Sequence, residues 1–180
     1  DGVFYAYRME AFEAERDIAF ALARKLQVKA ADIPVDRAWV EGLGEEQQQG
    51  IDIVTASGVS IITGGPGTGK TTLLRALLGI LQADGQHALL CAPTGRAAKR
   101  MEESTGTPAA TIHRMLGYNP TAFPPYEFDE DNPLDADWII VDESSMLDVF
   151  LMERLLRAVK VDTRLVFVGD VDQLPSVGAG

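Results

Sequence analysis

The residues best suited to chemistry form one glycine-rich run, Gly64 to Thr71, which fits the pattern G-x-x-x-x-G-K-[ST]. Glycines let backbone N–H groups converge on phosphate oxygens and adopt dihedral angles closed to other residues. In such a loop Lys70 reaches the β- and γ-phosphates of a nucleotide, and the Thr71 hydroxyl binds Mg²⁺. The alternative is a glycine-rich turn with an exposed lysine. We predict a nucleotide-binding loop that comprises Gly64, Gly65, Pro66, Gly67, Thr68, Gly69, Lys70, Thr71 and Thr72.

A pair of acidic residues, Asp142 and Glu143, follows the apolar run Ile139-Ile140-Val141. Ligand sites in parallel sheets lie at the carboxyl ends of strands, so an acid there can face the metal ion bound by Thr71. We assign that role to Asp142, and we assign to Glu143 the role of the base that polarises the attacking water. The alternative is an acid-rich helix N-terminus capped by Ser144.

Short apolar runs that alternate with helical patterns surround these residues. Continuously apolar strands separated by helices indicate a parallel sheet that is covered on both faces. The predicted class is therefore α/β. The predicted strands are 59–63, 87–92, 138–141 and 165–168, and the predicted helices between them are 70–82, 95–104 and 145–159.

The N-terminal part of the chain has a helical pattern instead. The spacing predicts an amphipathic helix over 9–27, a connector over 28–42, and a second helix from Glu45 to Ala56. The proline-rich stretch 117–136 is predicted to be a long loop, and Trp39 and Trp138 are expected in the core. The apolar face of the first helix is predicted from Phe12, Ala19, Leu22, Ala23 and Leu26.

The charge distribution matters more than the net charge of −11, which by itself argues weakly against nucleic acid as a partner. Met115 to Glu153 contains ten acidic residues and no lysine or arginine, whereas Arg96, Lys99, Arg100 and Arg114 cluster just before it. Phosphate contacts need only a local positive potential, so nucleic acid remains a possible partner.

Several features predict a cytoplasmic protein without a membrane segment. No apolar run approaches the roughly 18 residues that a spanning helix needs. The N-terminal residues show no signal-peptide pattern. Cys91 is the single cysteine, so it has no internal disulfide partner, and we expect it to be a buried side chain in a strand. The ends of the chain, without an initial Met and without a closing helix, suggest a fragment of something longer.

The motifs taken in order resemble the first RecA-like motor domain of superfamily 1 helicases, and within them the RecD-like (exodeoxyribonuclease V alpha subunit-like) enzymes. The resemblance covers roughly residues 40–180. It is carried by Leu43-Gly44-Glu45-Glu46-Gln47, the phosphate loop, Ala92-Pro93-Thr94-Gly95-Arg96-Ala97-Ala98, Thr111-Ile112-His113-Arg114-Met115-Leu116, Val141-Asp142-Glu143-Ser144-Ser145-Met146 and Gly169-Asp170-Val171-Asp172-Gln173-Leu174-Pro175.

The resemblance implies further site residues. Gln47 would read the adenine edge of ATP, since a side-chain amide offers both a donor and an acceptor. Gln173 would sense the γ-phosphate as a third catalytic residue beside Lys70 and Glu143, and Asp170 would support the metal site or the loop. The residues implied to meet the backbone of single-stranded DNA are Pro93, Thr94, Gly95, Arg96, His113 and Arg114, with His113 packing or positioning rather than catalysing.

The resemblance also implies a half-motor. Residues 1–40 would end an N-terminal helical region, and residues 41–180 would form the first motor domain. The arginine that phosphoryl transfer usually needs would come from a second RecA-like domain of the same full-length chain. The isolated chain is therefore expected to bind Mg-ATP weakly and to turn it over slowly. In the complete protein the same residues would drive 5′-to-3′ movement on single-stranded DNA.

Three other functions remain open from the sequence. An RNA helicase of the same superfamily would make similar backbone contacts and differ at the 2′-hydroxyl. A phosphate-loop kinase is disfavoured by the adjacent Asp142 and Glu143 and by the lack of an acceptor-binding segment. A non-hydrolysing module that uses the nucleotide to gate an interaction is disfavoured because Lys70 and Thr71 are also intact.

Overall fold

The computed structural model describes residues 8–28 and 32–170. A five-stranded sheet lies at its centre, with the strand order β1-β5-β4-β2-β3 and every neighbouring pair parallel. This α/β architecture confirms the predicted fold class. The strands are β1 (Val59–Thr63), β2 (Ala88–Ala92), β3 (Ala109–Thr111), β4 (Trp138–Val141) and β5 (Arg164–Gly169).

Helices cover both faces of the sheet, and several of them begin at a side-chain cap. Asp148, for example, accepts a hydrogen bond from Leu151 N (2.8 Å) and so caps the last helix. A 3₁₀ helix, Arg37–Trp39, lies in the connector. The helices are α1 (Met9–Gln27), α2 (Glu45–Ala56), α3 (Lys70–Ala83), α4 (Gly95–Thr105), α5 (Ile112–Met115) and α6 (Val149–Arg157).

The two central strands explain why the sheet is buried on both faces. All four residues of β4 are fully buried, and successive residues point to opposite cores. Ile140 packs in the core that contains Leu77 of α3, while Ile139 packs in the core that contains Leu155 of α6. Apolar side chains on every position are therefore required here, which is the pattern that the sequence shows.

The structure corrects the predicted helix 145–159. A 3₁₀ turn, Ser144–Met146, comes first, and α6 begins only at Val149. Leu147 and Asp148 are extended between them because the Asp148 side chain caps the new helix. The sequence analysis also missed β3 and α5, which are too short to show a hydrophobic period.

The predicted apolar face of α1 is wrong at four of its five positions. Phe12, Ala19, Ala23 and Leu26 are exposed, and Leu22 is half-buried. The helix instead packs on α6 through Ala11 and Ala14, with Ile18 partly buried beside them. Ile18 and Leu22 are partly buried against the core, whereas Phe12 and Leu26 are left on the outer side.

The two tryptophans have different surroundings. Trp138 is fully buried, as predicted. Trp39 is 45% exposed, so its prediction as a core residue is wrong. Its ring lies on α3, where a Cβ added to Gly79 would approach it to 2.3 Å. The absence of a side chain at Gly79 lets the connector pack closely against the helix that begins at Lys70.

Lys25 attaches α1 to the rest of the domain. Its buried ammonium donates hydrogen bonds to the backbone carbonyls of Lys160 and Thr163, which lie in the turn between α6 and β5. Burial lowers the pKa of Lys25 to about 8, and the nearby Asp162 carboxylate partly offsets this effect. Within residues 8–28 and 32–170, no helix is long and apolar enough to cross a membrane.

This lowered pKa predicts a pH-dependent stability. Folded Lys25 releases its proton near pH 8, whereas the unfolded side chain holds it up to about 10.5. The unfolded state therefore binds more protons between these values, and stability rises with pH there. The unfolding free energy of the wild type, relative to Lys25→Met, should increase from pH 8 towards 10.5 in chemical denaturation. Arg24→Met is the control, and a flat or falling Lys25 difference would contradict the assignment.

Candidate active site

The phosphate loop connects β1 to α3, as the sequence predicted. The Lys70 ammonium donates hydrogen bonds to the carbonyls of Gly64 and Gly65, the latter at 3.0 Å. The Thr68 hydroxyl donates to the Gly65 carbonyl at 2.9 Å. These bonds fold the loop over the start of α3, where free backbone N–H groups and the helix dipole favour an anion.

Two glycines of the loop are required by geometry. Gly69 has a φ of 86°, in the left-handed region that favours glycine. A Cβ at Gly69 would also lie 2.3 Å from the Gln47 Nε2 atom, and a Cβ at Gly64 would lie 2.6 Å from Thr68 Oγ1. Any side chain at these positions would displace the residues that shape the loop.

Gln47 links the loop to α2. Its Oε1 atom accepts a hydrogen bond from Gly44 N (3.1 Å), and its Nε2 atom donates to the Gly69 carbonyl (3.4 Å). The residue predicted to read adenine therefore lies beside the phosphate loop. A cleft of about 610 Å³ begins here and extends along β1 past Ile53 and Ile61.

The two acids lie at the carboxyl end of β4. Asp142 Oδ1 accepts a hydrogen bond from Glu143 N at 2.9 Å. Burial raises the pKa of Asp142, while that hydrogen bond and the Lys70 ammonium act in the opposite direction. The parallel pairing of β5 with both β1 and β4 places Asp142 and the phosphate loop at the same edge of the sheet. Glu143 has a φ of 51°, an uncommon conformation for a residue other than glycine and one often found at functional sites.

Strand β5 separates the phosphate loop from the two acids. Its last residue, Gly169, packs so closely on the turn after Glu143 that a Cβ there would lie 2.8 Å from Ser144 Oγ. Asp170 follows and is buried. Gln173, predicted to sense the γ-phosphate, lies outside the described residues. Asp170 therefore lies between the phosphate loop and the two acids at this edge of the sheet.

The residues predicted to meet DNA follow the other two strands. Thr94 follows β2 and caps α4 by accepting a hydrogen bond from Ala97 N (3.2 Å), so its hydroxyl has a structural role. Arg96 is exposed on the first turn of α4. His113 and Arg114 are exposed on α5, which follows β3. Pro93 and Gly95 lie beside Thr94 at the same strand end.

The strand order therefore divides one edge of the sheet into two parts. Because all strands are parallel, their carboxyl ends meet at this edge. The phosphate loop follows β1 and the two predicted acids follow β4, with β5 between them. The predicted DNA residues follow β2 and β3. We call these two parts the nucleotide half and the basic half of the edge.

Sequence reasoning missed an aromatic group beside the basic half. Tyr118 packs edge-on against His113, with 5.4 Å between ring centroids, and against Tyr126 at 4.9 Å. The sequence feature that could have indicated this group is the aromatic residue Tyr118, which comes just after the Thr111–Leu116 motif. No group of three metal-ligating His, Cys, Asp or Glu side chains occurs among the described residues.

Comparison with known proteins agrees with this geometry. A family model described as an AAA domain matches residues 47–179, which includes the phosphate loop, both acids and the basic half. The chain belongs to the AAA domain family. This match covers most of the chain and begins at Gln47.

The chain has relatives that are named RecD2 or RecD. It is 39% identical over 180 residues to the ATP-dependent RecD2 DNA helicase of Deinococcus radiodurans; the match covers 97% of this chain and 25% of that protein. It is 43% identical over 159 residues to the RecBCD enzyme subunit RecD of Haemophilus influenzae, with 73% and 24% covered. The chain thus spans about a quarter of the length of these relatives.

Solved structures support the same fold for the AAA domain. A crystal structure of Pif1 helicase from Candida albicans superposes with a TM-score of 0.53 at 28% identity, covering 75% of this chain and 34% of that one. A structure of Pif1 helicases at forked double-stranded DNA gives the same TM-score at 27% identity, with 75% and 35% covered. The RecA-like, phosphate-loop fold expected from the resemblance is therefore confirmed.

The contact between Gly69 and Gln47 generates a prediction. Gly69→Ala introduces a collision with the Gln47 amide as well as backbone strain. We expect it to weaken binding of a fluorescent ATP analogue and to lower stability in chemical denaturation. Gly85→Ala is the matched control, since Gly85 has a φ of 73° but open space around its Cβ. It should lose only about 1–2 kcal/mol of stability and keep nucleotide binding. Equal effects of both changes on nucleotide binding would contradict the role of the contact.

Proposed function

We propose that this chain is the ATP-binding motor domain of an ATP-dependent DNA helicase that moves 5′-to-3′ along single-stranded DNA. The observation that carries the proposal is the common sheet edge, where a phosphate loop and two acids lie beside an exposed basic segment. The named activity of the Deinococcus radiodurans relative supports the choice of DNA. The direction of movement rests on the resemblance to RecD-like enzymes.

The nucleotide half provides the groups that phosphoryl transfer needs. Lys70 would leave the loop carbonyls that it contacts now and pair with the β- and γ-phosphates, which are stronger acceptors because they are charged. The backbone N–H groups at the start of α3 would hold the phosphates. The Gln47 amide would hold the adenine while it fixes the end of the loop.

Mg²⁺ fits the donors that are present. Magnesium prefers oxygen ligands and is usually held by one or two side chains together with phosphate oxygens and water. The Thr71 hydroxyl and the Asp142 carboxylate are such oxygens, and both lie at the nucleotide half. When bound, the ion would neutralise charge on the phosphates. The raised pKa of Asp142 reflects burial, and a nearby cation favours its ionised form.

Glu143 would act on water. It follows Asp142 directly, so its position is set by the same strand, and it would accept a proton from the water that attacks the γ-phosphate. Gln173 would sense the γ-phosphate from the segment after Asp170. We further propose that the transition-state arginine comes from a second RecA-like domain, which the much greater length of the relatives allows.

The basic half would hold the DNA backbone. Arg96 and Arg100 are exposed on α4 and have no carboxylate partner within ion-pair distance among residues 8–28 and 32–170, whereas Lys99 pairs with Glu103 at 3.8 Å. Arg114 on α5 extends this surface. These charges would bind phosphates whatever the base sequence, as a motor that moves along a strand requires.

The place of the domain in the intact protein is part of the proposal. Residues 1–40 would end an N-terminal helical region, and 41–180 would form the first motor domain. A cytoplasmic location agrees with a buried cysteine, Cys91, that has no disulfide partner in the chain.

Lys70 provides the first test of this function. Lys70→Ala removes the charge that pairs with the phosphates, so DNA-stimulated ATP hydrolysis by the intact protein should fall about 100-fold or more. Lys160→Ala is the control, because Lys160 is exposed before β5 at the opposite edge of the sheet. It should keep the wild-type rate. Unchanged hydrolysis by Lys70→Ala would mean that the loop does not hold the reacting phosphate.

Glu143 provides the second test, since it separates binding from chemistry. Glu143→Gln keeps the size of the side chain but cannot accept the proton, so turnover should drop about 100- to 10,000-fold. ATP affinity, measured by titration with a fluorescent analogue, should stay near that of the wild type. A variant that hydrolyses ATP normally would exclude Glu143 as the base and assign that role to another group.

A further inference from the structure

Tyr118 lies at the boundary of the basic half. It follows α5 by three residues, and its N–H donates to the His113 carbonyl at 2.9 Å, so the ring is held next to the exposed His113. Gly117 makes this turn possible with a φ of 63°. A Cβ at Gly117 would lie 2.5 Å from Glu127, which shows how closely the returning loop packs there.

The ring of Tyr118 is both supported and accessible. Tyr126 packs against it at 4.9 Å, and the Arg154 guanidinium lies 5.6 Å from the Tyr126 ring centroid in a cation–π arrangement. With His113 at its edge, Tyr118 has contacts on two sides and yet remains 43% exposed. An aromatic ring held in this way loses little conformational freedom when a flat ligand stacks on it.

Tyr118 stands where the basic residues of the chain give way to acidic ones. Arg96, Arg100 and Arg114 lie on one side of Tyr118 in the chain, while the stretch from Met115 to Glu153 has no cation and ten acidic residues. Glu127 stands directly beside Gly117. The Glu127 carboxylate disfavours a phosphate beside Gly117 by like-charge repulsion, whereas it does not repel the uncharged face of a base. A bound strand would therefore turn its phosphates to the basic half and its bases towards Tyr118.

We propose that Tyr118 is a base-stacking residue, and that its exposed ring receives one nucleobase of a single strand whose backbone lies on the basic half. This inference rests on the proposed function, since it assumes that single-stranded DNA binds at this edge. Stacking on an aromatic ring is tolerant of base identity because every base has a π-face. Such a contact would hold the strand without fixing its sequence.

The test measures the affinity of the nucleotide-free intact protein for a fluorescent single strand at several salt concentrations. Tyr118→Ala should weaken binding about five- to one-hundred-fold, while Tyr118→Phe should keep the affinity. The dependence of log Kd on log salt should stay the same for Tyr118→Ala, because stacking releases no counterions. Arg114→Ala is the ionic comparison, and its slope should fall by about 0.7.

A scan of strands with single abasic sites completes the test. At the position that stacks on Tyr118, the missing base should weaken wild-type binding and have no further effect on Tyr118→Ala. Tyr118→Leu keeps the apolar volume of the side chain but has no π-face. It should show the same loss of affinity, and it provides the test where the alanine variant does not fold. The inference would be overturned if Tyr118→Leu bound the strand with wild-type affinity. It would also be overturned if each abasic site weakened binding equally in the wild type and in Tyr118→Ala. Wild-type protein that binds no single strand would instead overturn the proposed function.

Discussion

The rest of the structure depends on one constraint, which is that β5 lies between β1 and β4 and pairs with both of them in parallel. Strand β1 pairs with β5 through Val59–Thr63 and Leu165–Gly169. Strand β5 also pairs with β4, through Arg164–Phe167 and Trp138–Val141. The carboxyl ends of the three strands are therefore fixed in register at one edge. The phosphate loop, Asp170 and Asp142 each follow one of these strands. Residues far apart in the sequence thereby meet at one edge, where the Lys70 ammonium favours the ionised form of Asp142 and acts against the effect of burial on its pKa. The fully buried β4 packs against an apolar core on each face, which holds it in the middle of the sheet.

The same sheet gives the edge two kinds of chemistry. The end of β2 lies beside the end of β4, since Cys91 pairs with Val141, and the Asp142 N–H donates to the Cys91 carbonyl at 2.9 Å. The predicted metal ligand is therefore bonded directly to the strand that leads into Pro93 and Arg96. We propose that this direct pairing of β2 with β4 links the nucleotide half to the basic half, so that the bound nucleotide changes the affinity for DNA. A second motor domain, if it closes over this edge, would contact both halves at once.

The sequence was sufficient for the elements that have strong, simple patterns. Helix α2, β1 and β4 have the predicted bounds because caps and uninterrupted apolar runs mark their ends. The sequence was insufficient where a single side chain overrides the helical pattern of apolar residues. Asp148, for example, caps α6 and so divides the helix predicted after Glu143. The buried face of α1 was missed because small residues and Lys25 pack there. The pairing order of the strands, the contact between Gln47 and Gly69, and the aromatic group around Tyr118 depend on tertiary proximity, which spacing in one sequence does not encode.

The measurement that most directly tests the central claim is the affinity of the intact protein for single-stranded DNA with and without a non-hydrolysable ATP analogue and Mg²⁺. If the two halves of the edge belong to one motor, the analogue should change the DNA affinity by about 5- to 150-fold, and DNA should change the affinity for the analogue by the same factor. Lys70→Ala should remove this coupling while keeping the nucleotide-free affinity for DNA. Identical DNA affinities in both states would contradict the account and would mean that the two halves act independently.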